Sequence, residues 1–373
     1  MTDTHLNLQE LLEQAVAMHA SDVFIMAGLA LTCKVDGRMT IMREGKLNPE
    51  QSKALVLELC ALSERDVECI KKMGDDDFSI TVPSLSRFRV SIYKQRGSYA
   101  AVVRIIPFGI PDYRELAIPE MVMRVAEKTK GLVLVTGPAG GGKSTTLACI
   151  IDRINHTREG HIITLEEPIE YLHRNERCAV SQREVGLDTE SYLSGLRASL
   201  RQAPDVILLG EMRDYETIRV AMTAAETGHL VIATLHTADA ASTIDRIIDA
   251  FPSDEQSQIR TMLASCLQSV VSQLLCRKKG GGRIAVHEIL LWADGLPNTI
   301  REGQIANIRT IIDAGGGRGM QSMDNSIQKQ FDAGLISAEE AYMKASDKSR
   351  FLKLMEEEEA AKNAAAEQGA AGK

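Results

Sequence analysis

The sequence predicts an α/β protein of two domains: a small α+β domain, then a parallel sheet flanked by helices that carries a phosphate-binding loop. Three observations predict this. The chain has 373 residues, more than one ordinary hydrophobic core sustains. From about residue 117 onward, short apolar runs alternate with helical segments, the pattern of a parallel sheet. One of these runs leads into a glycine-rich segment ending in Lys-Ser, and a helical segment leaves it.

The elements follow in order. Residues 6–20 place Leu8, Leu11, Leu12, Ala15 and Val16 at helical spacing. Alternating runs at 22–25 and 31–35 read as strands, closed by the turn Asp36-Gly37. A second helix is expected near 48–72, then strands at 77–82, 86–94 and 98–106. The first domain is expected to span 1–107, with 108–116 as a linker around Phe108-Gly109-Ile110-Pro111-Asp112. The second domain, 117–355, has expected strands at 132–136, 161–165, 206–210 and 230–235. Beyond 255 the pattern reads as mostly helical, interrupted by Gly280-Gly281-Gly282-Arg283 and one strand at 283–291. Residues 356–373 are low in complexity and read as a frayed helix or disordered tail.

Composition narrows the function classes. The formal net charge is −8, without the basic surplus of a nucleic-acid binder. No apolar run is long enough to span a membrane, and the first 20 residues carry acids rather than a secretion signal. A cytoplasmic protein is therefore expected, reaching a membrane only through partners. The seven cysteines, Cys33, Cys60, Cys69, Cys149, Cys178, Cys266 and Cys276, include no Cys-x-x-Cys pair, so reduced thiols are expected rather than a zinc ribbon or disulfides.

Gly137-Pro138-Ala139-Gly140-Gly141-Gly142-Lys143-Ser144 matches the G-x-x-x-x-G-K-[ST] pattern in full. A buried strand enters it and a helix from Ser144 to about Asn155 leaves it. The glycines let backbone N–H groups turn onto phosphate oxygens, and the helix N-terminus adds partial positive charge. Lys143 is expected to reach the β- and γ-phosphates and Ser144 to ligate Mg²⁺, with Thr145 completing the nucleotide-binding segment. The apolar run from Val206 ends at Gly210-Glu211, the carboxyl edge where ligands bind in parallel sheets. Glu211 is the candidate for orienting or deprotonating the attacking water. After another apolar run come Glu166, Glu167 and Glu170, three carboxylates within five residues, which need Mg²⁺ or arginine nearby. Glu166 or Glu170 is expected to hold the metal directly or through water. His229 and His236 bracket the run 230–235. With no cysteine or third histidine close in sequence, they read as hydrogen-bonding groups near the γ-phosphate rather than zinc ligands.

Phosphate loop, acidic cluster, Gly-Glu strand and bracketing histidines, in this order, resemble the secretion ATPase superfamily, as its Walker A, Asp box, Walker B and His box. The resemblance covers nearly the whole chain and includes Ala20-Ser21-Asp22-Val23, Val35-Asp36-Gly37-Arg38 and Arg87-Phe88-Arg89-Val90. Within the superfamily the chain is most similar to the pilus retraction ATPases, through Gln182-Arg183-Glu184-Val185-Gly186, Gly210-Glu211-Met212-Arg213-Asp214, Thr223-Ala224-Ala225-Glu226-Thr227-Gly228-His229 and Thr234-Leu235-His236-Thr237. The resemblance implies a PAS-like N-terminal domain and a RecA-like ATPase domain, a homohexameric ring, and ATP with Mg²⁺ bound between domains. Arg89 and Arg104 match the arginines that approach the nucleotide; Arg183 and Arg197 are weaker candidates. It further implies an inner-membrane platform protein as partner, a sister pilus ATPase as a second possible one, no nucleic acid, and a position at the cytoplasmic face of the pilus base. The alternatives are an accessory retraction paralogue, an assembly ATPase, a DNA-translocating motor, and a scaffold that binds ATP without hydrolysing it. The absence of Cys-x-x-Cys pairs and of an extra N-terminal region speaks against the assembly enzymes. Four positions depart from the family pattern: Ala139 and Gly141 in the loop, Glu167 in place of Asp, and Pro297 in place of the first Arg of a late motif ending Asn298-Thr299-Ile300-Arg301-Glu302.

Overall fold

The computed structural model describes residues 7–35, 37–63, 74–106, 109–356 and 358. They fall into two compact units, one within Met1–Gly109 and Pro168–Leu172, the other within Ile110–Glu167 and His173–Lys373. The division falls after Gly109. The short segment Pro168–Leu172, expected inside the second domain, groups with the first unit. Cys69, Asp36, Pro107, Phe108, the far half of the helix expected at 48–72 and most of the expected tail lie outside the described residues.

The first unit is an antiparallel sheet of six strands: β1 (Asp22–Met26), β2 (Ala30–Val35), β3 (Arg38–Lys46), β4 (Asp75–Val82), β5 (Ser86–Gln95) and β6 (Ser98–Ile106), in the order β3-β2-β1-β6-β5-β4. Helices Leu8–Ala17 and Pro49–Leu62 belong to the same core, burying Leu8, Leu11 and Leu12 on one and Leu55, Val56 and Leu59 on the other. Each helix has its start written in sequence. Asn7 caps the first, and Asn48 with Gln51 forms a capping box on the second, where Pro49 occupies the first turn. β5 alternates cleanly. Ser86, Phe88, Val90 and Ile92 are buried, so Arg87 and Arg89 face the other way. The sequence reading had no β3, because its apolar residues Met39 and Ile41 lie exposed on an edge strand and the run carries little patterning.

The second unit holds a seven-stranded sheet: β7 (Gly131–Thr136), β8 (Gly160–Glu166), β9 (Cys178–Glu184), β10 (Val206–Leu209), β11 (Leu230–Leu235), β12 (Leu267–Arg277) and β13 (Arg283–Leu291), in the order β13-β12-β7-β11-β10-β8-β9. Only the β12–β13 pair is antiparallel. Every residue of β7 and β11 is buried, as expected for strands covered on both faces. Leu132 and Leu134 belong to one core, with helices Tyr215–Glu226, Ala240–Asp249 and Gln256–Cys266. Val133 and Val135 belong to the other, with helix Lys143–Thr157. The α/β class is as predicted, an α+β unit followed by a RecA-like three-layer one. β12 corrects the expectation of helix beyond 255. Leu267, Val270, Val271, Leu274 and Leu275 recur at helical spacing, but the segment pairs with β7 on one side and β13 on the other, so tertiary pairing overrides the period. β9 also went unread.

Candidate active site

β7 delivers Thr136 to the phosphate loop, and the loop delivers Lys143 to the first position of helix Lys143–Thr157. Two glycines here have a steric reason. Gly137 and Gly142 have φ of 140° and 84°, and a Cβ would fall 2.2 Å from the Gln273 carbonyl oxygen at the first and 2.7 Å from Gln273 Nε2 at the second. The outer arc, Pro138 to Gly140, is exposed.

Lys143 is buried; its Nζ donates to the carbonyl oxygens of Gly137 (2.8 Å) and Pro138 (3.1 Å) and lies 3.4 Å from His236 Nδ1. His236 follows β11, whose carboxyl end is level with that of β7, since Leu235 pairs with Thr136. The other ring nitrogen, Nε2, lies 3.4 Å from Glu211 Oε1. An ammonium beside Nδ1 and a carboxylate beside Nε2 assign the Nε2–H tautomer. Glu211 follows β10, and its second oxygen accepts from Arg213 Nε at 2.8 Å. Arg213 Nη1 lies 3.2 Å from Glu167 Oε2. A continuous polar chain thus runs Lys143, His236, Glu211, Arg213, Glu167 along the carboxyl ends of the strands. Gly210 lets it form. A Cβ there would come within 2.8 Å of the Tyr192 hydroxyl and 3.0 Å of the Leu165 carbonyl oxygen. Burial and the nearby Glu167, Glu211 and Glu166 push the Tyr192 phenol up, so it stays a neutral donor.

The acidic cluster finds the partners its charge requires. Glu166 accepts from Thr164 Oγ1 (2.7 Å) and Gln182 Nε2 (3.2 Å), Glu167 has Arg213, and Glu170 has Arg89 at 3.8 Å. Glu170 and Arg89 both belong to the first unit, as does Arg104, which pairs with Arg89 in register and with Asp22 at 3.0 Å. Arg183 donates to the Asp188 carbonyl oxygen, and Arg197 lies 3.6 Å from Glu216.

His229 stands apart from this chain's own loop. It precedes β11, and its Nδ1 lies 3.0 Å from the Ala224 carbonyl oxygen. One whole strand, roughly 20 Å at about 3.3 Å per residue, separates it from His236. Within one chain the two histidines do not flank one phosphate, and only His236 stands at the loop. Three contributors went unnamed in the sequence reading: Arg213, Gln182 and Gln273. Arg213 and Gln182 sit inside strings quoted for the resemblance. Gln273 and Ser272 were legible as polar residues inside an apolar run.

The fold and loop define a P-loop nucleotide-binding protein. The family model of the type II/IV secretion system proteins matches residues 4–342, and the chain belongs to this family. The type IV pilus retraction ATPase PilT of Pseudomonas aeruginosa is 44% identical over 340 residues, covering 91% of this chain and 98% of that one. The type IV pilus ATPase PilU of the same organism is 38% identical, covering 94% and 91%. A crystal structure of the pilus retraction motor PilT with bound ADP superposes with a TM-score of 0.86 at 40% identity, covering 93% of this chain and 99% of that one.

Proposed function

We propose that this protein is an ATPase that powers type IV pilus retraction. The observation that carries the chemistry is the chain from Lys143 through His236 to Glu211, at the one sheet edge that also holds the phosphate loop. The direction of work is supported by the similarity to PilT along almost the full length of both chains. PilU is the specific reason to weigh an accessory retraction motor as a second reading, together with Pro297. That residue replaces the family's arginine but sits in the first turn of helix Leu296–Arg301, where proline is tolerated.

The residues fit Mg-ATP. Glycine at 137 and 142 lets the loop close against Gln273, where a Cβ would clash, and Lys143 rests on the loop's own carbonyls, an arrangement a phosphate oxygen would replace. When bound, Mg²⁺ supplies a cation that neutralises charge on the phosphates. Ser144 is proposed to hold it, with Glu166 or Glu170 directly or through water. Glu211 is proposed to accept a proton from the attacking water, and His236 to keep Glu211 and Lys143 in register. For Arg89 and Arg104 the family resemblance is the support; a nucleotide would compete with Glu170 and Asp22 for them. His229 keeps its proposed place in the family's His box, away from this chain's own loop. A homohexamer, an inner-membrane platform protein as partner, a sister pilus ATPase and a place at the cytoplasmic face of the pilus base complete the proposal. Among the described residues, no helix is long and apolar enough to cross a membrane.

The enzymatic test is direct. Purified wild type is expected to hydrolyse ATP, and Glu211→Gln to bind it while losing on the order of 100-fold in turnover. Equal turnover would remove Glu211 from the role of base.

A further inference from the structure

Beneath the phosphate loop lies a buried polar cluster with no part in the chemistry above. Gln273 on β12 and His287 on β13 are directly opposite in the antiparallel register, and both are buried. Thr146 Oγ1 donates to Gln273 Oε1 at 2.6 Å, and His287 Nε2 lies 3.0 Å from the same oxygen. Gln273 Nε2 donates to the Gly141 carbonyl oxygen at 2.7 Å. On the same strand Ser272 Oγ lies 2.8 Å from Thr136 Oγ1, where β7 enters the loop.

These contacts permit one assignment. A flipped Gln273 amide would set its oxygen against the Gly141 carbonyl oxygen, which is repulsive. The amide nitrogen therefore faces Gly141 and the oxygen faces Thr146 and His287. His287 must then be the Nε2–H tautomer, donating. Its burial, which pushes its pKa down to about 3, keeps the ring neutral. The Gly141 carbonyl and the Gly142 N–H share one planar trans peptide and point in opposite directions. Holding the carbonyl down onto Gln273 holds the Gly142 N–H up, away from the sheet and toward the open side of the loop.

We propose that Gln273, oriented by His287, is a positioning residue that presets the Gly141–Gly142 peptide for phosphate. The inference rests on the nucleotide-binding reading of the loop. Preset N–H donors avoid the cost of reorienting a peptide on binding, so the benefit belongs to affinity rather than to the chemical step. The same cluster explains the adjacent polar pair Ser272-Gln273 between the apolar runs Val270-Val271 and Leu274-Leu275 of β12.

The test compares Gln273→Met, His287→Leu and His287→Gln with wild type, each checked for folding by thermal melting. Gln273→Met is expected to raise the ATP KM and the ADP dissociation constant about tenfold, the equivalent of one well-placed hydrogen bond, with kcat per folded subunit within about threefold. The Gly141 amide, which donates to the Pro138 carbonyl oxygen at 3.1 Å, should exchange with deuterium about tenfold faster without nucleotide once its own carbonyl is released from Gln273. His287→Leu should shift KM and exchange in the same direction, and His287→Gln, which keeps a donor, should restore both. A folded Gln273→Met with KM and Gly141 exchange within about twofold of wild type would overturn the proposal, as would a His287→Leu indistinguishable from wild type. A loss of kcat alone, with KM unchanged, would overturn it in favour of a merely structural role. Wild type that binds no nucleotide would sink the ATPase reading instead, and the exchange measurement would still decide whether Gln273 holds the loop.

Discussion

At the scale of single residues, the site is a set of charges each given a partner. Lys143 rests on two loop carbonyls, Glu211 is held by His236 and Arg213, and Glu167 is bridged by Arg213. Buried His287 and half-buried His173 are held neutral instead. Desolvation lowers His287 to about 3 and His173 to about 4. The unfolded chain titrates these rings near pH 6.5, so between that pH and the lowered value it binds protons the folded state refuses. Their stabilisation is complete above about pH 6.5 and is lost progressively as the pH falls toward the lowered values. Denaturant unfolding at pH 6.5 and pH 5 is expected to show about 2 kcal/mol more loss in wild type than in His287→Gln. Parallel pH profiles for the two proteins would refute a neutral buried His287. Much of this scale was legible in the sequence. Lys143, Ser144 and Glu211 could be named because their motifs fix their place on a strand end or helix start. Arg213 and Gln273 carry no role-specific pattern, and their parts emerge only once β10, β12 and β7 are side by side. His229 and His236 bracket one strand, and a strand holds its ends apart, so only His236 stands at this chain's own loop.

At the scale of elements, the central strands decide where the chemistry sits. β7, β11 and β10 run parallel, so Thr136, Leu235 and Leu209 all finish at one edge, and Lys143, His236 and Glu211 follow from chain direction alone. These strands are stabilised by burial on both faces. Ile232 of β11 is fully buried in the core shared with helix Lys143–Thr157. Ile232→Ala is expected to cost about 2–5 kcal/mol of stability, a transfer loss plus a cavity. A cost below about 1 kcal/mol by denaturant unfolding would mean the sheet is packed less tightly than these contacts require. The parallel strands β7, β8, β10 and β11 were readable as apolar runs, whereas β9, largely polar, was not. β12 was not, since its spacing imitates a helix and its polar residues serve the loop. β3 was not, since an exposed edge strand needs no apolar face.

At the scale of the whole molecule, the chain aligns with PilT across 98% of that protein's length at 44% identity. The proposed ring is the part a single chain does not display. Size-exclusion chromatography with light scattering is expected to give a mass of six subunits, and a monomer at micromolar concentration would contradict a ring motor. The most direct test of the central claim is the surface pilin and twitching of a strain lacking this gene, complemented by wild type or by Glu211→Gln. Retraction driven by hydrolysis predicts excess pili without twitching, reversed by wild type and not by Glu211→Gln. Cells without pili, or pili and motility unchanged by the deletion, would contradict it.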